Sequence, residues 1–357
     1  MRIAQVAPLY ESVPPQYYGG TERVVSYLTE ELVRQGHEVT LFASGDSVTS
    51  SRLRATCRRS LRLDESCIDQ LAHHVLMLER VFQAAEEYDI VHFHTDYLAY
   101  PMLRRQPIQS LTTLHGRLDI PDLVPLYREF REIPVVSISD AQREPLGWIH
   151  WLDTVYHGLP ADLYRFREEP GKYLAFLGRI SPEKRVDRAI RIARHVGIPL
   201  RIAAKVDDVD REYFENVISP LIRDSPEVEY VGEVGEGEKN EFLGNAHALL
   251  FPIDWPEPFG MVMIESMACG TPVIAYERGS VPEVLEQGVT GFIVRDLRTA
   301  IRAVERVKEL SRRRIRDAFE ARFTAERMTR DYLRIYRSVL RPAMQETAVG
   351  IEAVPEE

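Results

Sequence analysis

ALLFPIDWPEPFGMVMIESMACGTPVIAY, residues 248–276, reads as a strand, a proline-stiffened loop, a short apolar helix and a second strand. The runs ALLFPI (248–253) and TPVIAY (271–276) are short and β-branched or apolar, and MVMIESMA lies between them. Strand, helix and strand in that order make a βαβ unit, which requires a parallel sheet. One residue departs from the pattern. Glu265 stands inside Met-Val-Met-Ile-x-Ser-Met-Ala, where even a neutral polar group left bare costs about 2–7 kcal/mol, so its carboxylate must be held by something.

The alternation extends in both directions. Downstream comes TGFIV (290–294); upstream come KYLAFLG (172–178), LRIAAKV (200–206) and VEYVGEV (228–234). A polar stretch, LPADLYRFREEPG, precedes KYLAFLG and reads as a linker. Before it stand RIAQVA (2–7), EVTLFA (38–43), DIVHFH (89–94), LTTLH (111–115), PVVSIS (134–139) and DTVYHG (153–158). Two doubly wound α/β halves follow from this count. The arginine-rich tail over 297–342 is expected to be helical, and residues 343–357 to fray.

Composition, 45% hydrophobic and 28% charged, fits a water-soluble globular chain. The net charge of −10 excludes a general nucleic-acid binder, so any polyanion site is local. Cys57, Cys67 and Cys269 have neither metal-ligand spacing nor a disulfide framework, and a reducing compartment is expected. MRIAQVAPLY reads as an opening strand, and no apolar stretch approaches the roughly 20 residues needed to span a bilayer. A cytoplasmic protein is expected. The basic run SRLRATCRRSLR (51–62) reads as a solvated loop, and membrane contact is not indicated.

In open parallel sheets ligands bind beyond the carboxyl ends of the strands. After KYLAFLG, the segment GRISPEKRVDRAI places Arg179 and Lys184 where a helix begins, with Ser181 as N-cap and Pro182 in the first turn. Two cations beside a helix N-terminus form an anion site suited to a phosphate or diphosphate; the alternative is solvated surface charge. Glu257 and Glu265 flank Gly260, which lets backbone N–H groups approach a ligand closely. Two carboxylates so placed suit the vicinal hydroxyls of two sugars, or else each pairs with a nearby arginine. Gly19 and Gly20 precede a helix near Thr21, a weak signal that does not match the dinucleotide fingerprint G-x-G-x-x-G. His115 closes a strand. His92, His94 and Asp96 resemble metal ligands, but no third ligand of suitable spacing follows and no metal is expected. Asp208 and Asp210 read as the exposed start of a helix.

Together YYGGTERVV, TLHG, GRISPEKR, EPFGMVMIE, ACGTPVIA, GSVPEV and GVTGF resemble the family-4 retaining glycosyltransferases over nearly the whole chain. The resemblance implies the GT-B architecture, two Rossmann-like doubly wound domains facing across a cleft. It implies an acceptor-binding domain over 1–165 and a nucleotide-sugar domain over 166–324, with a closing helix at about 325–342 packed back on the first. Arg179 and Lys184 would bind the donor diphosphate, Glu265 the ribose and Glu257 the transferred hexose. Backbone groups of Phe259, Gly260 and Met261 would assist. His115 would sit at the sugar's reactive face, and Gly19 and Gly20 near the diphosphate. Lys205 and Val234 are candidates for base contacts, and His94, Asp96, Arg117 and Asp119 for the acceptor side. The implied reaction moves a hexosyl unit from a UDP- or GDP-linked sugar to an acceptor hydroxyl, without metal or other cofactor. The alternatives are a sugar-nucleotide epimerase of the same fold and a non-catalytic nucleotide-sugar binder. Two departures stand out: Arg185 follows the lysine where many relatives have glycine, and TVYHGLP (154–160) stands where many have Asn-Gly.

Overall fold

A computed structural model describes residues 1–16 and 18–349, which fold as two units. The first comprises Met1–Ile138, Pro145–Val155 and the described part of the segment that begins at Ala325; the second comprises Ser139–Glu144 and Tyr156–Thr324. The chain enters the second unit at Tyr156, ahead of the expected division at 165/166. Residues 156–165 are bound there by hydrogen bonds: Arg316 donates to the carbonyls of Ala161 and Tyr164, and Leu159 pairs with Thr324. The short segment Ser139–Glu144 joins the same unit because the N–H groups of Asp140 and Ala141 donate to the Glu283 carboxylate, each at 2.7 Å.

The first unit holds one all-parallel sheet of seven strands: β1 (Arg2–Val6), β2 (Glu38–Ser44), β3 (Arg52–Cys57), β4 (Ile90–Phe93), β5 (Ser110–Thr113), β6 (Val135–Ser137) and β7 (Trp151–Thr154). Their order is β3-β2-β1-β4-β5-β6-β7. The second unit holds six parallel strands: β8 (Tyr173–Arg179), β9 (Leu200–Lys205), β10 (Val228–Gly232), β11 (Ala246–Phe251), β12 (Val273–Tyr276) and β13 (Gly291–Val294). Their order, β10-β9-β8-β11-β12-β13, is the doubly wound arrangement, with its switch point between β8 and β11. The corresponding point in the first unit lies between β1 and β4.

Central strands are buried on both faces, which is why β12 reads Val-Ile-Ala-Tyr without alternation. The helices that cover the sheets relevant to the site are α1 (Gly20–Arg34), α2 (Val186–Val196), α3 (Glu236–Gly244), α4 (Met261–Ala268), α5 (Arg312–Arg322) and α6 (Ala325–Val349). α2 buries Val186, Ala189, Ile190 and Ala193 at helical spacing and stops at Gly197, whose φ of 67° is the left-handed stop expected there. α6 packs against α1 within the first unit.

Three local expectations change. Arg52–Cys57, read as loop, is an edge strand: Arg52 and Arg54 alternate with Leu53 and Ala55, and charge on an edge strand discourages pairing with another chain. The last strand of the first unit is Trp151–Thr154, earlier than DTVYHG suggested. α6 continues through Val349, so residues 343–349 are helical and not frayed. Residues 350–357 lie outside the described residues. No helix among the described residues is long and apolar enough to cross a membrane.

Candidate active site

In the second unit the loops leaving β8, β9, β10 and β11 converge at the carboxyl edge of the sheet. Arg179 ends β8. A single 3₁₀ turn, Pro182–Lys184, follows, and α2 starts only at Val186. Ser181 is extended and makes no side-chain cap, so the helix start expected there is replaced by this turn. The interruption is at Arg185, whose φ of 55° and ψ of 48° are left-handed. That conformation favours glycine. Arg185 is held in it by Asp187, through Nε at 2.8 Å and a second N–H at 2.9 Å, and by Asp254 at 3.1 Å. The departure at this position therefore has a local compensation.

Lys184 reaches from this turn to the loop after β11. Its Nζ donates to Glu257 at 2.6 Å and stands 4.6 Å over the Trp255 ring, whose Nε1–H donates to the same carboxylate oxygen at 3.1 Å. The two loops are also tied by the Asp254 N–H to the Glu183 carbonyl. Gly279 approaches the Glu257 backbone so closely that a Cβ there would lie 2.4 Å from the Glu257 carbonyl oxygen. At Gly260, φ is 79°, a left-handed conformation that favours glycine at the head of α4. Phe259 buries its ring beside His157 and Phe323, leaving its backbone as the part that borders the turn. Met261 opens α4, and its helix N-terminus favours negative charge.

Glu265, one turn into α4, is buried and accepts from Lys239 Nζ at 2.8 Å. Lys239 lies on α3 and also pairs with Glu236 at 3.2 Å. The partner that the buried charge requires is thus a lysine from a neighbouring helix. Arg179 and Lys205 share Asp207, at 3.3 and 3.0 Å. Burial alone would raise the Asp207 carboxyl, but the bonds from Lys205 and then Arg179 outweigh it and hold it below the usual carboxylate range. Val234 sits partly buried in the loop between β10 and α3.

The first unit gathers its candidates in the same way. Gly19 precedes α1, and a Cβ there would fall 2.7 Å from Pro15 Cβ; at Gly20 nothing is near. His94 and Asp96 follow β4, while His115, Arg117 and Asp119 follow β5. His115 and His94 are joined by a 2.9 Å bond, Nε2 to Nδ1. His94 is buried, and its Nε2 is bound to Gln5 at 2.8 Å, so it backs His115. Burial pushes the His115 imidazole down to about 3, keeping it neutral. Asp96 has a left-handed φ of 49°, and burial pushes its carboxyl up to about 6 against a bond from the His115 backbone. Arg117 and Asp119 form a two-bond ion pair, both contacts at 2.7 Å, on an exposed loop. His92 bonds to Thr113 and Tyr336, and no group of three or more His, Cys, Asp or Glu suited to a metal occurs among the described residues.

The family model for group 1 glycosyl transferases matches residues 165–324, and that for Glycosyltransferase Family 4 matches 18–150. The chain is a family-4 glycosyltransferase. Among curated relatives, the enzyme is 26% identical to N-acetyl-alpha-D-glucosaminyl L-malate synthase of Bacillus anthracis, over 90% of this chain and 95% of that one. A shorter stretch, 34% of the chain, is 32% identical to alpha-maltose-1-phosphate synthase of Mycolicibacterium smegmatis. Among solved structures, a glycosyltransferase involved in avilamycin A biosynthesis superposes with a TM-score of 0.73 at 23% identity, covering 96% of this chain and 98% of that one. The Anabaena HepE protein in complex with UDP and glucose superposes with a TM-score of 0.71 at 17% identity, covering 95% and 100%. These neighbours establish the GT-B fold of the glycosyltransferase.

Lys239, Asp207, Trp255 and Gly279 of this transferase were not singled out from sequence. Lys239 lies in GEGEKNEF, a polar helix after a strand, and only the buried Glu265 signalled that a cation had to meet it. Glu22, buried on α1 with its carboxyl pushed up to about 7 by burial, gave no signal beyond its place after the double glycine.

Proposed function

We propose that this glycosyltransferase takes a UDP- or GDP-linked hexose as donor and transfers the hexosyl unit, with retention at the anomeric carbon, to an acceptor hydroxyl. Arg179 and Lys184 receive the diphosphate, aided by the N–H groups at the head of α4. Glu265 accepts from the ribose hydroxyls, Glu257 from the hexose, and the loops bearing Lys205 and Val234 border the base. In the first unit Gly19 and Gly20 offer backbone N–H groups, His115 serves the reacting sugar, and Asp96, Arg117 and Asp119 serve the acceptor.

The observation that carries this reading is the meeting of Lys184 with Glu257 at the switch point, one loop from Arg179 and one helix turn from Glu265. A cation and a carboxylate in contact can bind a phosphate and a hydroxyl on one ligand, each exchanging its partner for the donor. Charge growing on the departing diphosphate is stabilised by groups already oriented, a factor of about 10²–10³ in rate for each donor lost. No metal is needed for that step. The leaving phosphate takes the acceptor's proton as the new glycosidic bond forms on the same face. HepE, solved with UDP and glucose, supports a nucleotide-sugar ligand for this fold.

Incubation with UDP- and GDP-hexoses and a panel of hydroxylated acceptors tests the proposal. Release of nucleoside diphosphate that depends on the acceptor, with the donor's anomeric configuration kept in the product by NMR, is expected. Acceptor-independent formation of an epimer or free sugar, or no turnover with any pair, contradicts it.

A further inference from the structure

Behind His115 a continuous chain of hydrogen bonds runs through the first unit to the C-terminal helix. His115 Nε2 meets His94 Nδ1 at 2.9 Å, and His94 Nε2 meets Gln5 Oε1 at 2.8 Å. Gln5 Nε2 donates to the Tyr336 hydroxyl at 3.1 Å, which meets His92 Nδ1 at 2.7 Å. His92 Nε2 then meets Thr113 Oγ1 at 2.7 Å, and Thr113 meets the Tyr332 hydroxyl at 3.0 Å. Gln5, His92, His94, Thr113, Tyr332 and Tyr336 are all buried. They come from β1, β4, β5, the residue after β4, and α6.

The donors in such a chain are not independent. With the Gln5 amide placed as it is, its oxygen accepts, so His94 carries its proton on Nε2 and its Nδ1 accepts. His115 must then donate from Nε2, which leaves Nδ1 as the acceptor of its ring. On the far side, the Gln5 N–H occupies the Tyr336 oxygen, so the phenol donates to His92 Nδ1. His92 in turn donates from Nε2 to Thr113. Every bond points the same way, from His115 toward α6. Turning the Gln5 amide over would reverse all of them and move the His115 proton to Nδ1. One amide therefore decides the tautomer of three imidazoles, and Tyr336 holds that amide by its hydroxyl.

We infer that the Gln5 amide, held by Tyr336 on the C-terminal helix and acting through His94, fixes the Nε2–H tautomer of His115, so that these three are positioning residues for the transfer site. The functional part of this inference rests on His115 serving the reacting sugar; the tautomer itself does not. Burial already keeps the His115 and His92 rings neutral, so tautomer and not charge is the variable that the chain controls. Partners that orient an imidazole from behind matter by about 10- to 100-fold at metal sites, and a similar scale is expected here.

The test is ¹⁵N NMR of the full chain with labelled histidine, with His115 and His94 assigned by His115→Gln and His94→Gln. In the wild-type protein His115 and His94 are both expected as Nε2–H tautomers. In Tyr336→Phe, the His115 and His94 signals are expected to shift toward a mixture of tautomers. In Tyr332→Phe, at the far end of the chain, they should move less. Nδ1–H at His115 in the wild type, or unchanged His115 and His94 signals in Tyr336→Phe, overturns the inference. The wild-type spectrum decides the sense of the chain even if a variant does not fold. With an active donor and acceptor pair in hand, Tyr336→Phe is expected to lower kcat about tenfold with donor KM unchanged. Equal kcat in a variant whose tautomer has moved would refute the role of His115 while leaving the tautomer control standing.

Discussion

Lys239→Met is the most informative single perturbation of the second unit. Lys239 donates to Glu265 at 2.8 Å, with side chains 14% and 4% exposed, so removing the ammonium leaves a buried carboxylate facing an apolar thioether. Breaking a buried pair from one side costs about 3–5 kcal/mol, and the partial exposure of Lys239 places this case at the lower end, about 3. For a unit of this size, roughly 3 kcal/mol lowers the melting temperature by roughly 6–12 °C. Glu265→Gln should cost less, because Lys239 keeps Glu236 at 3.2 Å. The double variant removes both charges and is expected to regain most of the loss, giving a coupling of about 2 kcal/mol in a double-mutant cycle read by urea unfolding. A loss below about 1 kcal/mol for Lys239→Met, or strict additivity in the cycle, would refute the claim that Lys239 neutralises Glu265.

Other consequences are equally concrete. Arg185→Gly and Arg185→Ala both lose the pairs with Asp187 and Asp254, but only glycine relieves the left-handed backbone; the glycine variant should be more stable than the alanine variant by about 1 kcal/mol in denaturant unfolding. Glu22 has a folded value of about 7 against an ordinary 4.5, raised by burial; its stabilising contribution is full below about pH 4.5 and is lost as pH rises through 7. Glu22→Gln should therefore gain on the wild type by up to about 3 kcal/mol between pH 5 and 8, measured by urea unfolding at both. Gly279→Ala would push a methyl group into the Glu257 backbone and should weaken donor binding in calorimetry by at least tenfold, about 1.4 kcal/mol, while the far-UV spectrum is retained.

The second sheet was legible in sequence because its central strands are buried on both faces and announce themselves as apolar runs between amphipathic helices. The edge strand Arg52–Cys57 was not, since it carries two arginines and its burial does not alternate cleanly. Arg179, Lys184, Glu257 and Glu265 could be chosen because each follows a strand, and Lys184 and Glu257 prove to be in contact. Their partners were hidden for a physical reason: Lys239 and Asp207 are common surface residue types until a fold brings them to a charge, and Trp255 lies in a loop where its ring gives no sign of a polar partner. The bonds of His94 to His115 and Gln5 were not legible, because a histidine after a strand looks the same whether it faces solvent or supports a second histidine. The roles of Tyr332 and Tyr336 were beyond sequence reading, since their partners Thr113, Gln5 and His92 lie more than 200 residues away in the chain.

The central claim is that the second unit binds a nucleoside diphosphate through Arg179 and Lys184. Thermal unfolding of the wild type and Arg179→Ala with UDP, GDP and ADP tests it most directly. One of UDP or GDP at about 100 times its Kd should stabilise the wild type by about 2.7 kcal/mol, with the shift absent in Arg179→Ala at the same concentration. No shift with any of the three, or an equal shift in Arg179→Ala, would contradict the claim.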